Sequence, residues 1–187
     1  MTNKSYRELP LRIADFAMLH RNELRGALGG MTRVRKFCMD DAHIFITEDQ
    51  IQEEVLNCMD FVKYIYSEVF DFKYDVVLST KPEKSMGTDV QWKNAEDSLE
   101  KALKKAGMKY DINAGDGAFY GPKIDFKIKD SIGREWQCAT IQIDFQMPLR
   151  FELEYEGADG KMHTPVVIHR AILGSLERFM AMLIEHY

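Results

Sequence analysis

The sequence lacks the excess of basic residues that a nucleic-acid-binding surface usually needs. Lysine and arginine number 25 against 30 aspartates and glutamates, so the formal net charge is −5. We therefore expect most of any RNA contact to lie outside this chain or in a local patch. One basic patch is evident, and it would equally suit the phosphates of a small nucleotide; it consists of Arg21, Arg25, Arg33, Arg35 and Lys36.

Cysteine is scarce, and long apolar runs are missing. Cys38, Cys58 and Cys138 are odd in number and never form a Cys-x-x-Cys pair, which argues against a disulfide framework and for a reducing compartment. No apolar run approaches the roughly 20 residues that span a membrane. The first ten residues contain no hydrophobic segment of the signal-peptide kind. We expect a cytoplasmic location, with an organellar parent as the alternative.

Repeats, low-complexity tracts and linkers are also missing, so the chain is interpreted as one continuous domain. Its 187 residues are enough for a hydrophobic core. The composition, 45% hydrophobic and 29% charged, is that of an ordinary globular protein.

Residues 11–47 predict two antiparallel strands joined by a glycine-containing loop. Alternation puts one set of side chains on one face of each strand: Asp15, Ala17, Leu19, Arg21 and Glu23 on the first, and Phe37, Met39, Asp41, His43 and Phe45 on the second. If these faces coincide, they form one polar surface. Buried polar groups are costly unless paired or used, so this surface is either a ligand site or a solvated sheet face.

Helices and further strands follow the hairpin. Apolar spacing predicts a helix over 49–70 after a Thr47/Gln50 capping box, and a second over 89–106 after Thr88. We expect the last helix to begin near Ala171 or Ser175. Strands are expected over 74–80, 123–129, 135–145, 149–155 and 164–168. Successive strands with few helices between them imply an α+β fold, an antiparallel β-sheet flanked by helices.

Several long segments, in this order, resemble one family. They are HRNE with its glycine loop, TRVRKF, DDAHIF, GDGAFYGPKIDF, WQCATIQIDF and IHRAILGSLERF. The chain resembles the class II aminoacyl-tRNA synthetases, most closely their threonine-specific members, with motif 2 at about 11–47 and motif 3 at about 169–187. The resemblance implies that residues 1–187 are part of the catalytic domain of a longer polypeptide. Motif 1, the editing region and the anticodon-binding region are expected outside this chain.

The resemblance implies an ATP-dependent ligase that activates threonine as threonyl-adenylate and transfers it to tRNA(Thr), with Mg²⁺ beside ATP and a homodimeric parent. Arg21 would hold the α-phosphate and the substrate carboxylate with its planar fork. Glu23 would accept from the adenine amino group or a neighbouring cation, and Arg33 would close on the outer phosphates. Phe37 and Arg178 would enclose the adenine.

Each of these side chains also has a structural interpretation from the sequence alone. Arg21 could form a cross-strand ion pair with Glu23 or Asp15. Phe37 could belong to the core, and Arg178 to a salt bridge on a helix surface. The resemblance further implies Lys123 near the reacting phosphate or carboxylate, and two residues beside ATP or Mg²⁺, Gln137 and Thr140.

The resemblance also implies an amino-acid pocket. His43 and His169 match two zinc ligands with which the family distinguishes threonine from valine. The family's cysteine ligand stands upstream of motif 2, Cys38 has the wrong strand parity, and Cys138 is expected to pack within a strand. We therefore expect zinc to be bound weakly or not at all. The remaining amino-acid contacts implied are Asp41, Tyr120, Gln142 and Ser175.

One residue departs from the family pattern. Met39 stands where members commonly have glutamine, and a thioether cannot replace an amide's hydrogen bonds. Two alternatives stay open: a class II ligase for another amino acid, and a non-catalytic module that binds ATP or a partner.

Overall fold

In the computed structural model, residues 4–187 are described, so the first three residues of the predicted domain lie outside them. The described part has ten strands: β1 (Lys4–Ser5), β2 (Leu11–His20), β3 (Lys36–Ile46), β4 (Tyr74–Ser79), β5 (Asp111–Asn113), β6 (Lys123–Lys129), β7 (Glu135–Asp144), β8 (Tyr155–Glu156), β9 (Met162–His163) and β10 (Val166–Ser175). Its α-helices are α1 (Ile51–Lys63), α2 (Asp89–Lys105), α3 (Met147–Arg150) and α4 (Leu176–His186).

Seven strands form one sheet in the order β2-β3-β10-β7-β6-β4-β5. All neighbours are antiparallel except β4 and β5, which run parallel. Strands β1, β8 and β9 form a second, small sheet. The predicted α+β class is confirmed, and the parallel β4–β5 pair is an exception to an otherwise antiparallel large sheet.

The large sheet has an apolar face and a polar face. Helices α1, α2 and α4 bury their apolar stripes against the apolar face. Burial of this kind is the main favourable term in folding. Side chains that are at most 1% exposed include Ile46, Val55, Leu99, Phe126, Ile141 and Ile168. The polar face lies opposite the helices.

Strands β2 and β3 form the predicted antiparallel hairpin. Leu19 pairs with Phe37, and Asp15 pairs with Asp41. The two predicted faces therefore coincide, and both lie on the polar side of the sheet. A slip by one residue would turn every one of these side chains to the core.

The helix ends follow the predicted capping signals. Thr47 and Gln50 form a capping box at a 3₁₀ turn that leads into α1, and Thr88 forms another with Gln91 at the start of α2. After Lys63 the chain continues helically in wider π-type turns over Tyr64–Val69. None of the helices within residues 4–187 has the length and apolar character required to cross a bilayer.

One predicted strand is wrong, and another is longer than expected. The expected strand over 149–155 is mostly the short helix α3 and a turn, because Pro148 stands in the first turn of the helix and the Asp144 carboxylate accepts from the backbone N–H groups of Gln146 and Met147. The strand expected over 164–168 continues to Ser175, so the last helix does not begin at Ala171. Ser175 is instead the N-cap of α4.

Candidate active site

The polar face of the sheet opens into a cavity of about 430 Å³, within the range of small-molecule sites. Segments that are distant in the sequence converge there, because β3, β10 and β7 are neighbours in the sheet. Every predicted site residue except His43 lines it: Arg21, Glu23, Arg33, Phe37, Asp41, Tyr120, Lys123, Gln137, Thr140, Gln142, His169, Ser175 and Arg178.

Arg21 and Phe37 form one wall. The guanidinium carbon of Arg21 lies 5.0 Å from the centre of the Phe37 ring, and the ring is only 4% exposed. Glu23 pairs with Arg33 at 3.6 Å. Phe37 is therefore a buried part of the cavity wall, and Arg21 lies on its ring at the cavity.

Arg178 lies on a different wall. Its Nε donates to the Thr32 carbonyl at 2.7 Å, and a terminal N–H donates to the Gln137 carbonyl at 2.7 Å. The guanidinium carbon is 5.4 Å from the centre of the Trp136 ring. Burial lowers the pKa of Arg178. The sandwich of adenine between Arg178 and Phe37 stays a prediction, and the structure places both residues on the same cavity.

A buried carboxylate holds three side chains at one end of the cavity. Asp125 is 3% exposed and accepts from Gln137 Nε2 at 2.6 Å and from Thr140 Oγ1 at 2.9 Å. Lys123 Nζ lies 2.9 Å from the same carboxylate. The register shift between β6 and β7 lets Gln137 and Thr140 reach one acceptor, although simple alternation would separate them.

The other end of the cavity is a chain of polar contacts. The Tyr120 hydroxyl donates to Gln142 Oε1, and Gln142 Nε2 donates to Thr140 Oγ1 at 3.1 Å. His169 Nε2 lies 2.9 Å from an Asp144 carboxylate oxygen that is fully buried. Burial raises the pKa of Tyr120 to about 12.

The two predicted zinc ligands are adjacent. The ring centres of His43 and His169 are 4.6 Å apart. Burial and then the charge of His169 lower the pKa of His43, which favours the neutral form that binds metals. Within residues 4–187, no group of three or more His, Cys, Asp or Glu side chains could hold a metal ion. The described residues therefore offer two adjacent imidazoles, and weak zinc binding stays a prediction.

Sequence reasoning missed the acidic residues that support the site. Asp125 and Asp144 form hydrogen bonds with residues that line the cavity. Asp40 faces away from the cavity into the core. Their strand parity could have indicated burial, because each lies inside a predicted strand. Nothing in the sequence pattern distinguished them from solvated carboxylates.

An antiparallel sheet with motif 2 arginines on one hairpin and Arg178 at the start of the closing helix is the arrangement of a class II tRNA synthetase core. The family model described as "tRNA synthetase class II core domain (G, H, P, S and T)" matches residues 1–187. The chain belongs to this family.

Within the family, the chain is similar to threonine-specific members. The threonine–tRNA ligase of Finegoldia magna is 60% identical over 183 residues, which are 98% of this chain and 29% of the relative. The probable cytoplasmic threonine–tRNA ligase of Encephalitozoon cuniculi is 56% identical over 98% of this chain and 28% of its own length. The chain thus spans less than a third of these relatives.

A solved structure shares the fold. The crystal structure titled as the RNA binding domain of threonyl-tRNA synthetase from Cryptosporidium parvum matches with a TM-score of 0.94 and 54% identity. The match covers 98% of this chain and 46% of that one. The backbone fold is therefore shared over nearly the whole chain.

Proposed function

We propose that this chain is part of the catalytic domain of a threonine–tRNA ligase. The parent activates threonine with ATP and transfers it to tRNA(Thr). The observation that carries the proposal is the convergence of Arg21, Lys123 and Arg178 from three separate segments on one cavity. The 60% identity to a threonine–tRNA ligase over nearly the whole chain supports threonine as the amino acid.

In the first step, a carboxylate oxygen of threonine attacks the α-phosphorus of ATP. The bond from that phosphorus to the bridging oxygen breaks, and pyrophosphate leaves. Negative charge gathers at the reacting centre, so fixed cations stabilise the transition state. Arg21 would hold the α-phosphate and the carboxylate together, and Lys123, fixed by Asp125, would face them.

Adenine recognition would fall to the walls of the cavity. Phe37 offers a buried ring at the cavity wall, and Arg178 offers a planar cation to the same cavity. Glu23 would accept from the adenine amino group, and its partner Arg33 would turn to the outer phosphates.

In the second step, a terminal ribose hydroxyl of the tRNA attacks the adenylate carbonyl and AMP leaves.

Short polar contacts at one end of the cavity would recognise the amino acid. Asp41 would receive the threonine hydroxyl proton, with Tyr120 and Gln142 holding the amino acid between them. Ser175 would contribute least, because its hydroxyl already accepts from the Arg178 backbone N–H at 3.3 Å and donates to Glu177.

Metals would play different parts in the two halves of the site. Mg²⁺ is commonly bound through substrate phosphates and few protein ligands, and it would offset phosphate charge near Gln137 and Thr140. Zinc would be held by His43 and His169, but two imidazoles do not make the three-ligand set of a tight site. The proposed reaction therefore routes no step through zinc.

The cellular location and the oligomeric state of the parent are also part of the proposal. One of them is named cytoplasmic, which supports that location here. A homodimeric parent stays part of the proposal. The chain alone is expected to fold and to bind ATP but to be nearly inactive in the full reaction, because it spans only 29% of the relative's length.

A calorimetric titration of this chain with ATP is the primary test. Binding in the micromolar to millimolar range is expected, and Arg178→Ala should weaken it. Wild-type protein that binds no ATP at millimolar concentration would refute the proposal. Pyrophosphate exchange at the rate of a full-length relative would refute the expected inactivity of the chain alone.

A second assay decides between amino acids. Any exchange activity should be stimulated by threonine and much less by valine or serine; stimulation by another amino acid would make the chain a different class II ligase. Met39 on the cavity wall favours the third candidate, a non-catalytic ATP-binding module. That candidate predicts ATP binding with no exchange even in the full-length parent.

A further inference from the structure

Strand β10 separates from β3 beside the cavity. The two strands pair up to Ala171, opposite Asp41, and meet again only at Ser175. Asp40 therefore lies alone opposite residues 172–174 of β10. An insertion of this kind is a β-bulge, which bends its strand and redirects the side chains that follow.

The Asp40 side chain replaces the hydrogen bonds that are missing between β3 and β10. Its carboxylate, 4% exposed, accepts the backbone N–H groups of Ile172 at 2.8 Å, Leu173 at 3.0 Å and Gly174 at 2.8 Å. Burial raises the pKa of Asp40, and these three N–H groups oppose the rise. Buried backbone donors must be paired, and here one carboxylate pairs three of them.

Other groups hold the bulge from the remaining sides. The hydroxyl of Tyr66, a fully buried residue, donates to the Ile172 carbonyl at 2.7 Å. Gly174 has a φ of +74°, and a Cβ there would lie 2.4 Å from the Cys138 carbonyl oxygen. These contacts therefore fix the backbone path of the bulge. The bulge ends where helix α4 begins.

The position of Arg178 depends on that path. Ser175, the first residue after the bulge, accepts from the Arg178 backbone N–H and so fixes the first turn of α4. From that turn, the guanidinium reaches the Thr32 and Gln137 carbonyls at the cavity.

We infer that Asp40 is a positioning residue for ATP, which acts through the bulge at 172–174 to set where Arg178 enters the cavity. Asp40 itself touches no cavity and is not proposed to contact substrate. This inference rests on the proposed function, because it assigns Arg178 to nucleotide binding. It adds a carboxylate on the core side of the sheet to the nucleotide site.

Asp40→Asn is the direct test. The amide keeps the size of the side chain but directs an N–H₂ group at backbone N–H donors, so the bulge loses acceptors. Calorimetric titration should then give ATP binding about tenfold weaker than in the wild type, because a bulge that is held less firmly must be ordered before Arg178 is in place. Glu54→Gln is the matched control: Glu54 is a 3% exposed carboxylate bonded to Arg12 outside the cavity, and ATP affinity should not change.

A double-mutant cycle separates positioning from general destabilisation. If Asp40 acts through Arg178, Asp40→Asn should cause no further loss of ATP affinity once Arg178→Ala is present. Additive losses would overturn the inference. Tyr66→Phe removes the other hydrogen bond to the bulge and should also weaken ATP binding several-fold, so the inference stays testable if Asp40→Asn does not fold.

The outcomes are distinguishable. Wild-type protein without ATP binding refutes the proposed function. Wild-type protein that binds ATP, together with Asp40→Asn or Tyr66→Phe proteins that fold and bind it equally well, refutes the inference alone.

Discussion

The guanidinium carbon of Arg21 lies 5.0 Å from the centre of the Phe37 ring, on the cavity side of the hairpin. Phe37 cannot move far, because it is only 4% exposed. The arginine is thus oriented by packing before any ligand arrives. Such pre-ordering lowers the entropy lost on binding.

Arg21→Lys tests this orientation. Lysine keeps the charge but loses the planar fork and the ring contact, so ATP should bind about tenfold more weakly. Arg7→Lys is the control, because Arg7 makes a similar contact with Tyr6, at 5.6 Å, but does not line the cavity. Equal affinities for wild-type and Arg21→Lys protein would show that charge alone suffices.

Gly174→Ala should destabilise the fold more than Gly133→Ala. Both glycines have positive φ, +74° and +84°, but only at Gly174 would a Cβ meet backbone, the Cys138 carbonyl oxygen at 2.4 Å. Gly133→Ala should cost about 1 kcal/mol through its backbone conformation, and Gly174→Ala about 3 kcal/mol because overpacking adds to that cost. Urea unfolding measures both, and equal losses would contradict the predicted clash.

Asp130 should make stability depend on acid. Burial by itself raises the pKa of its carboxyl. Hydrogen bonds from Trp136 and Arg134 lower that pKa by more, so that its net value is about 2. An unfolded aspartate has a pKa of about 3.9, so the folded state binds fewer protons between these values. Its stabilising contribution is full above about pH 4 and is lost as the pH falls through about 2.

Asp130→Asn therefore has a two-part expected result. The variant should be less stable at neutral pH, and its unfolding free energy should fall less steeply between about pH 4 and 2. Denaturant unfolding at a series of pH values measures the slope. A variant with the wild-type slope would mean that other carboxyls account for the acid sensitivity.

Zinc should be held weakly. Protein prepared without added zinc should contain well under one ion per chain by metal analysis, because two neighbouring imidazoles are not a tight site. Weak binding of added zinc should disappear in His169→Ala and persist in His163→Ala, whose imidazole contacts Asp159 instead. One tightly held ion per chain in the untreated protein would contradict this expectation.

The parity of the hairpin could be predicted from sequence because alternation needs no tertiary information. It grouped Arg21 with one strand face and Phe37 and Asp41 with the other, and all three line one cavity. The Thr47/Gln50 capping box and the Thr88 cap were equally local signals, and the structure has both. The resemblance then extended the site to β7, β10 and α4.

The errors arose where tertiary contacts decide the path of the chain. The strand expected over 149–155 was lost because Asp144 captures the turn that begins α3. The length of β10 depends on a bulge whose acceptor, Asp40, is distant in sequence. Alternation cannot reveal such a bulge, since it breaks the pattern on which the prediction depends.

The strand order has a consequence for folding. Strands β3 and β10 are neighbours in the sheet although strands β4 to β9 lie between them in the sequence. Pairing of this kind requires closure of a long loop and is typical of slow folding. The cavity is complete only after that closure, so a nucleotide should raise the melting temperature by binding only the finished sheet.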